Sequence, residues 1–262
     1  MPGKSIKSIQ SSKSIKKSRK YKNLNSITIR RSDVELLMSI KLSPQIEEFK
    51  NLRQYHINLW NKYGIEAYNK EEYLKAIKYL TYSSDYGDSD AQVMLCIVYS
   101  KINDINTSHK YFKLSLEQNN STAQYLMSIS IKDLVIKNDI SLIKIVEKSY
   151  KIKVNIDMAL YYLKLSAKQF NPHALFEFGR LYLYGCNYNN KTYITKDSIM
   201  AMKFFQSSAN RYHKNALMIL GHMYKNGWGV DVNESEMNKY FELSNKQPKP
   251  CRTDFMNKYI NK

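Results

Sequence analysis

The chain of 262 residues is 43% apolar, enough to build a folded core, which excludes a protein disordered throughout. Its formal charge of +18 sits at one end: residues 1–32 carry ten Lys or Arg and no acid, while the remaining 230 residues are only +8. Cys96, Cys186 and Cys251 are odd in number and form no C-x-x-C pair, which argues against a zinc knuckle or a complete disulfide framework and for a reducing compartment.

In chain order, residues 1–32 repeat Lys, Ser and Ile with too little hydrophobicity to fold alone, and read as a basic disordered arm. Three roles stay open for it: a solvated tail, an arm for nucleic acid, an acidic protein, a membrane surface or nuclear import through Lys13 to Lys22, or an organelle presequence. Ser32-Asp33 and Ser43-Pro44 are helix starts, so residues 33–56 are expected to form N-terminal capping helices.

From residue 57 the sequence repeats itself. With Leu59, Ala91, Ala123, Ala174 and Ala216 as anchors, the residues four places on are large (Tyr63, Leu95, Met127, Phe178, Leu220). Those five places on are small (Gly64, Cys96, Ser128, Gly179, Gly221), as one face of a helix requires where another backbone crosses closely. A second helix follows in each unit, starting near Ala76, Ser108, Ala159, Ala201 and Met237, with an aromatic three places on, a large apolar residue at four and a serine at seven. From each of the first four serines to the next anchor is always eight residues, whereas the connection inside the units varies. That pattern predicts a stack of helical hairpins with a fixed turn between hairpins and a variable loop within them. The units run 57–90, 91–122, 123–173, 174–215 and 216–245. In the third, an insertion near 132–156 is apolar enough around Ile140 to Val146 to bury itself as an added helix; in the fourth, residues 186–197 around Asn189-Asn190 read as a loop or short hairpin. Residues 246–262 are expected to form a tail or a closing half-unit from about 252.

Residues 216–230, ALMILGHMYKNGWGV, resemble the Sel-one-like repeat (SLR) family pattern A-x-x-x-L-G-x-x-Y-x-x-G-x-G-V, and residues 174–185 resemble it too. Trp60, Gly64, Tyr73 and Ala76 fall where the related tetratricopeptide repeat (TPR) favours such residues. The resemblance implies an all-α, right-handed superhelical solenoid of about five antiparallel helix pairs, and an adaptor or scaffold role with partners on the inner surface. Secreted members that resemble hydrolases are clamped by cysteine pairs, which are missing here, so a hydrolase is the remote alternative.

Residues two and six places beyond each anchor are those the tetratricopeptide register turns inward. One row reads Asn61, Val93, Tyr125, Phe176 and Met218, the other Ile65, Ile97, Ile129, Arg180 and His222. These, with Lys225, are the candidate partner-binding residues: a groove for an amphipathic helix or extended peptide, with Arg180, His222 and Lys225 placed for an acidic group. Equally open is that curvature or the capping helices cover the apolar part. The five histidines lie in different units and form no H-x-x-x-H pair, so no metal, cofactor or catalytic group is expected, and Cys96 reads as an inert buried thiol. With no membrane span and no secretion signal in the sequence, a soluble intracellular protein, cytoplasmic or nuclear, is expected.

Overall fold

The computed structural model describes residues 46–246. Eleven α-helices follow one another there: α1 (Ile46–Asn69), α2 (Tyr73–Asp85), α3 (Ser89–Lys101), α4 (Ile105–Glu117), α5 (Ser121–Lys137), α6 (Ile140–Tyr150), α7 (Ile156–Lys168), α8 (Pro172–Tyr184), α9 (Ser198–Ala209), α10 (Lys214–Asn226) and α11 (Glu234–Lys246). A β-hairpin, β1 (Cys186–Tyr188) and β2 (Lys191–Ile194), lies between α8 and α9. The chain divides at His56/Ile57 into two units, and the described part of the first is the opening of α1. The basic arm, the helix expected near 33–42 and the closing half-unit near 252 lie outside the described residues.

The second unit is a row of hairpins, α1/α2, α3/α4, α5/α7, α8/α9 and α10/α11, with the repeat register of the sequence. Small residues of the first helix meet the large residue of the second: a Cβ on Gly64 would lie 2.6 Å from Leu80, and one on Gly179 or Gly221 would lie 2.5 Å from the ring of Phe205 or Phe241. Next to these contacts, stacked aromatic pairs close three of the hairpins: Tyr99 on Tyr111, Tyr182 on Phe204 and Tyr224 on Tyr240, with ring centroids 5.4–5.7 Å apart.

The invariant eight-residue step has a backbone cause. Four places after the serine, Gly87, Asn119, Phe170 and Tyr212 adopt φ of 57–81°, the left-handed cap of a helix end. Each donates its N–H back to a carbonyl three residues earlier, and the next residue donates to the serine carbonyl, at 3.0–3.4 Å, so two orphan carbonyls are satisfied in one turn. That next residue, Asp88, Asn120, Asn171 or His213, is at once the N-cap of the following helix, its side chain accepting the anchor N–H of Ala91, Ala123, Ala174 or Ala216. One cap ends a helix and starts the next, and no residue can be added or removed without losing one of them.

The caps also join neighbouring hairpins. Asn61 donates to Asp88 at 3.2 Å, Asn120 donates to Ser89 and Asp90 at 3.0 and 2.7 Å, and Asn171 lies 3.3–3.4 Å from the hydroxyls of Ser121 and Thr122. The repeated serine ties each of the last three hairpins to itself: Ser166, Ser208 and Ser244 donate to the carbonyls of Ser121, Pro172 and Lys214, at 2.6, 2.7 and 3.3 Å. Ser115 instead donates to Phe112 within its own helix at 2.7 Å, and the hydroxyl of Ser83 is buried with no hydrogen-bond partner among the described residues.

Both insertions have the form expected of them, an added helix and a short hairpin. No residue of α6 is fully buried; Ile143, Val146 and Tyr150 rest on the core while Ile140, Leu142 and Ile145 stay exposed, because one short helix has only one face to bury. The fourth unit's segment is a hairpin turned by Asn189 and Asn190, both at positive φ, as a tight two-residue turn needs. Rather than projecting into solvent, it packs Tyr188 and Tyr193 on the core of the preceding hairpins, and the Tyr188 hydroxyl donates to the Val135 carbonyl at 3.1 Å.

Candidate functional site

The caps set the rotation of each first helix and so fix where the two candidate rows point. The rows are not uniform. Val93 and Tyr125 are buried at 3% and 7% exposure, and Ile97, Ile129 and Phe176 are half-buried. Asn61 is half-buried and held by Asp88. Ile65 and Met218 are exposed, as are Arg180, His222 and Lys225. The apolar middle of the rows is therefore buried or half-buried, and the exposed side chains gather at α8 and α10, with Ile65 alone on α1.

Around Phe176 the structure assembles a group that spacing in the sequence did not reveal. The ring of Tyr125 stacks on His173 at 5.4 Å, His173 meets His213 edge-on at 4.9 Å, and His213 lies 4.7 Å from Phe176. His173 and His213 are 40 residues apart, yet both stand at the start of a first helix, so stacking brings them together with Nε2 of His213 3.1 Å from Nδ1 of His173. Since Nδ1 of His213 accepts the Ala216 N–H, its Nε2 carries the proton and donates to His173. Burial pushes the pKa of His173 down, and burial followed by the neighbouring His173 pushes that of His213 down to about 4. The pair is thus neutral near pH 7. The histidines are not all scattered as their sequence positions implied; His173 stands one place before its anchor and His213 three places before its own, so the signal for this pair was that both lie at the entry to the first helices of adjoining units, not a spacing motif.

Beside this group Glu177 is clamped between Arg180, at 3.2 Å, and Lys132, at 4.0 Å, with its own side chain only 14% exposed. Burial, and then Glu177, push the Tyr125 hydroxyl well above its ordinary pKa. Cys96 is pushed up to about 11 by burial, with a partly offsetting contact from the Ser108 hydroxyl at 3.3 Å, so its thiolate is scarcely populated near neutrality. Gly227-Trp228-Gly229 is the turn between α10 and α11, where a Cβ on Gly229 would lie 2.6 Å from the backbone of Ser198. Among the described residues no three His, Cys, Asp or Glu side chains are grouped to hold a metal ion, and no helix is long and apolar enough to cross a membrane.

No protein-family model and no curated protein matches the sequence. Among solved structures, the chain is similar to a Sel1 repeat protein from Oxalobacter formigenes, with a TM-score of 0.49 and 21% identity over 71% of this chain and 49% of that one. It is also similar to a protective antigen present in uropathogenic Escherichia coli strains displaying an SLR fold, with a TM-score of 0.46 and 20% identity over 75% of this chain and 39% of that one. The chain spans about half or less of the length of these two structures, and the likeness is one of fold.

Proposed function

We propose that the protein is a non-enzymatic scaffold that holds a peptide or protein partner on the first helices of its hairpins, chiefly on α8 and α10. The observation that carries this reading is the exposed set Arg180, Met218, His222 and Lys225 on α8 and α10, with the half-buried Phe176 one turn before Arg180 in α8, a combination of apolar side chains and cations that suits an amphipathic segment bearing an acid. Affinity capture from the native cell with the parent chain and with an Arg180→Ala, Lys225→Glu variant tests it. Both side chains are exposed, so helical circular dichroism should be unchanged while the captured partners are lost; equal capture by the two would reject this surface.

A second reading rests on residues 1–32, whose ten cations and lack of acids suit nucleic acid or another acidic surface. Deleting them should abolish retention on a nucleic-acid column and its steep salt dependence, whereas retention by the truncated chain would assign the binding elsewhere.

A further inference from the structure

Helix α6 is an addition that the hairpin does not need: α5 and α7 pack directly on each other, and α6 adds no fully buried residue. What it adds to the surface is aliphatic. Ile136 at the end of α5 is 62% exposed, and Ile140, Leu142 and Ile145 are 59%, 38% and 54% exposed. Leu142 and Ile145 are three residues apart and so share one side of the helix, which borders the face of the docked Ile143, Val146 and Tyr150. Four large aliphatic side chains within ten residues are far more than scattered surface apolar residues require.

The charge around them is one-sided. Residues 137–153 hold five lysines, among them Lys144, Lys148, Lys151 and Lys153, against Asp139 and Glu147. Both acids are occupied in local structure, since Asp139 caps α6 through the Leu142 N–H at 3.1 Å and Glu147 accepts the Val154 N–H at 2.9 Å. Like charge opposes pairing with a second copy of this surface. An anionic layer that takes up aliphatic side chains satisfies both features.

We propose that α6 is a docking element for anionic lipid: Leu142 and Ile145 enter the acyl boundary with Ile136 and Ile140 beside them, and the lysines meet the headgroups. This surface is separate from the partner site on α8 and α10, and would place a scaffold at a membrane without a spanning helix.

The test is sedimentation of the full chain with vesicles of phosphatidylcholine alone and with about one third phosphatidylserine. Because both altered positions are exposed, a Leu142→Ser, Ile145→Ser variant should keep the parent's melting profile. Binding to the phosphatidylserine vesicles should fall at least about tenfold in the variant, as expected when two aliphatic side chains no longer leave water. An Ile145→Trp variant should bind like the parent and shift its difference emission to the blue on adding these vesicles. Equal binding by parent and Leu142→Ser, Ile145→Ser variant would assign attachment to the basic arm and overturn the proposal. No binding by the parent, equal binding to phosphatidylcholine alone, or concentration-dependent self-association of the parent that the variant abolishes would overturn it as well.

Discussion

Gly179 lies against Phe205, which has no exposed surface, so the first carbon of any side chain there would meet an aromatic ring that cannot retreat. Gly179→Ala should therefore cost about 1–3 kcal/mol in urea unfolding, and Phe205→Leu in the same chain should recover part of that loss. Gly221→Ala should cost less, because its partner Phe241 is only half-buried and can shift. The opposite sign is expected at Tyr212. This exposed residue holds φ of 60° in the position that Gly87 fills in the first inter-hairpin turn. A non-glycine residue there costs about 1–2 kcal/mol, of which glycine gives back roughly 0.5–1 kcal/mol through its freer unfolded chain. Tyr212→Gly should then raise stability by a few tenths to about 1 kcal/mol, seen as a higher urea midpoint at unchanged slope.

At the scale of elements, α10 is capped by an imidazole where α5 and α8 are capped by asparagine, and that difference couples a helix start to pH. His213 and His173 both have depressed pKa values, so the unfolded chain binds more protons than the folded one once the pH drops below the ordinary histidine value of about 6.5. Stability contributed by the neutral pair is complete above that value and is lost as pH falls towards about 4, the folded pKa of His213. Glu177 faces His173 and moderates the loss by favouring its charged form. Between pH 7.5 and 5 the parent should lose roughly 1–2 kcal/mol more than a His213→Asn variant, measured by chemical unfolding at each pH. The hairpins themselves were legible in the sequence because large and small residues recur at fixed places, and a helix face can be read from such recurrence. The histidine pair, and the glutamine pairs Gln92 with Gln118 and Gln124 with Gln169, were not. The partners are 26–45 residues apart in the chain, and only the recurrence of the two glutamines at the same places in successive units, one after the anchor and three after the serine, foreshadows any of these contacts.

For the row of hairpins as a whole, what matters is the outer side of the last described one. In the fourth hairpin, Met202 and Ala209, one and eight places into the second helix, are buried. The same places of the fifth hairpin hold Asn238 and Asn245, and both are exposed. The closing half-unit expected from about 252 lies outside the described residues; within them, this substitution of amides for apolar residues gives the fifth hairpin a polar outer side, which suits the end of a stack. Recurrence in sequence favours the places that stay the same and hides those that change, although the change is what marks an end. If the amides serve this purpose, restoring the interior residues should make the end adhesive. An Asn238→Met, Asn245→Ala variant should fold with the parent's circular dichroism yet associate with rising concentration in sedimentation velocity, as newly exposed apolar surface seeks cover. A variant that stays monomeric at the highest soluble concentration would mean that these two positions do not control where the stack stops.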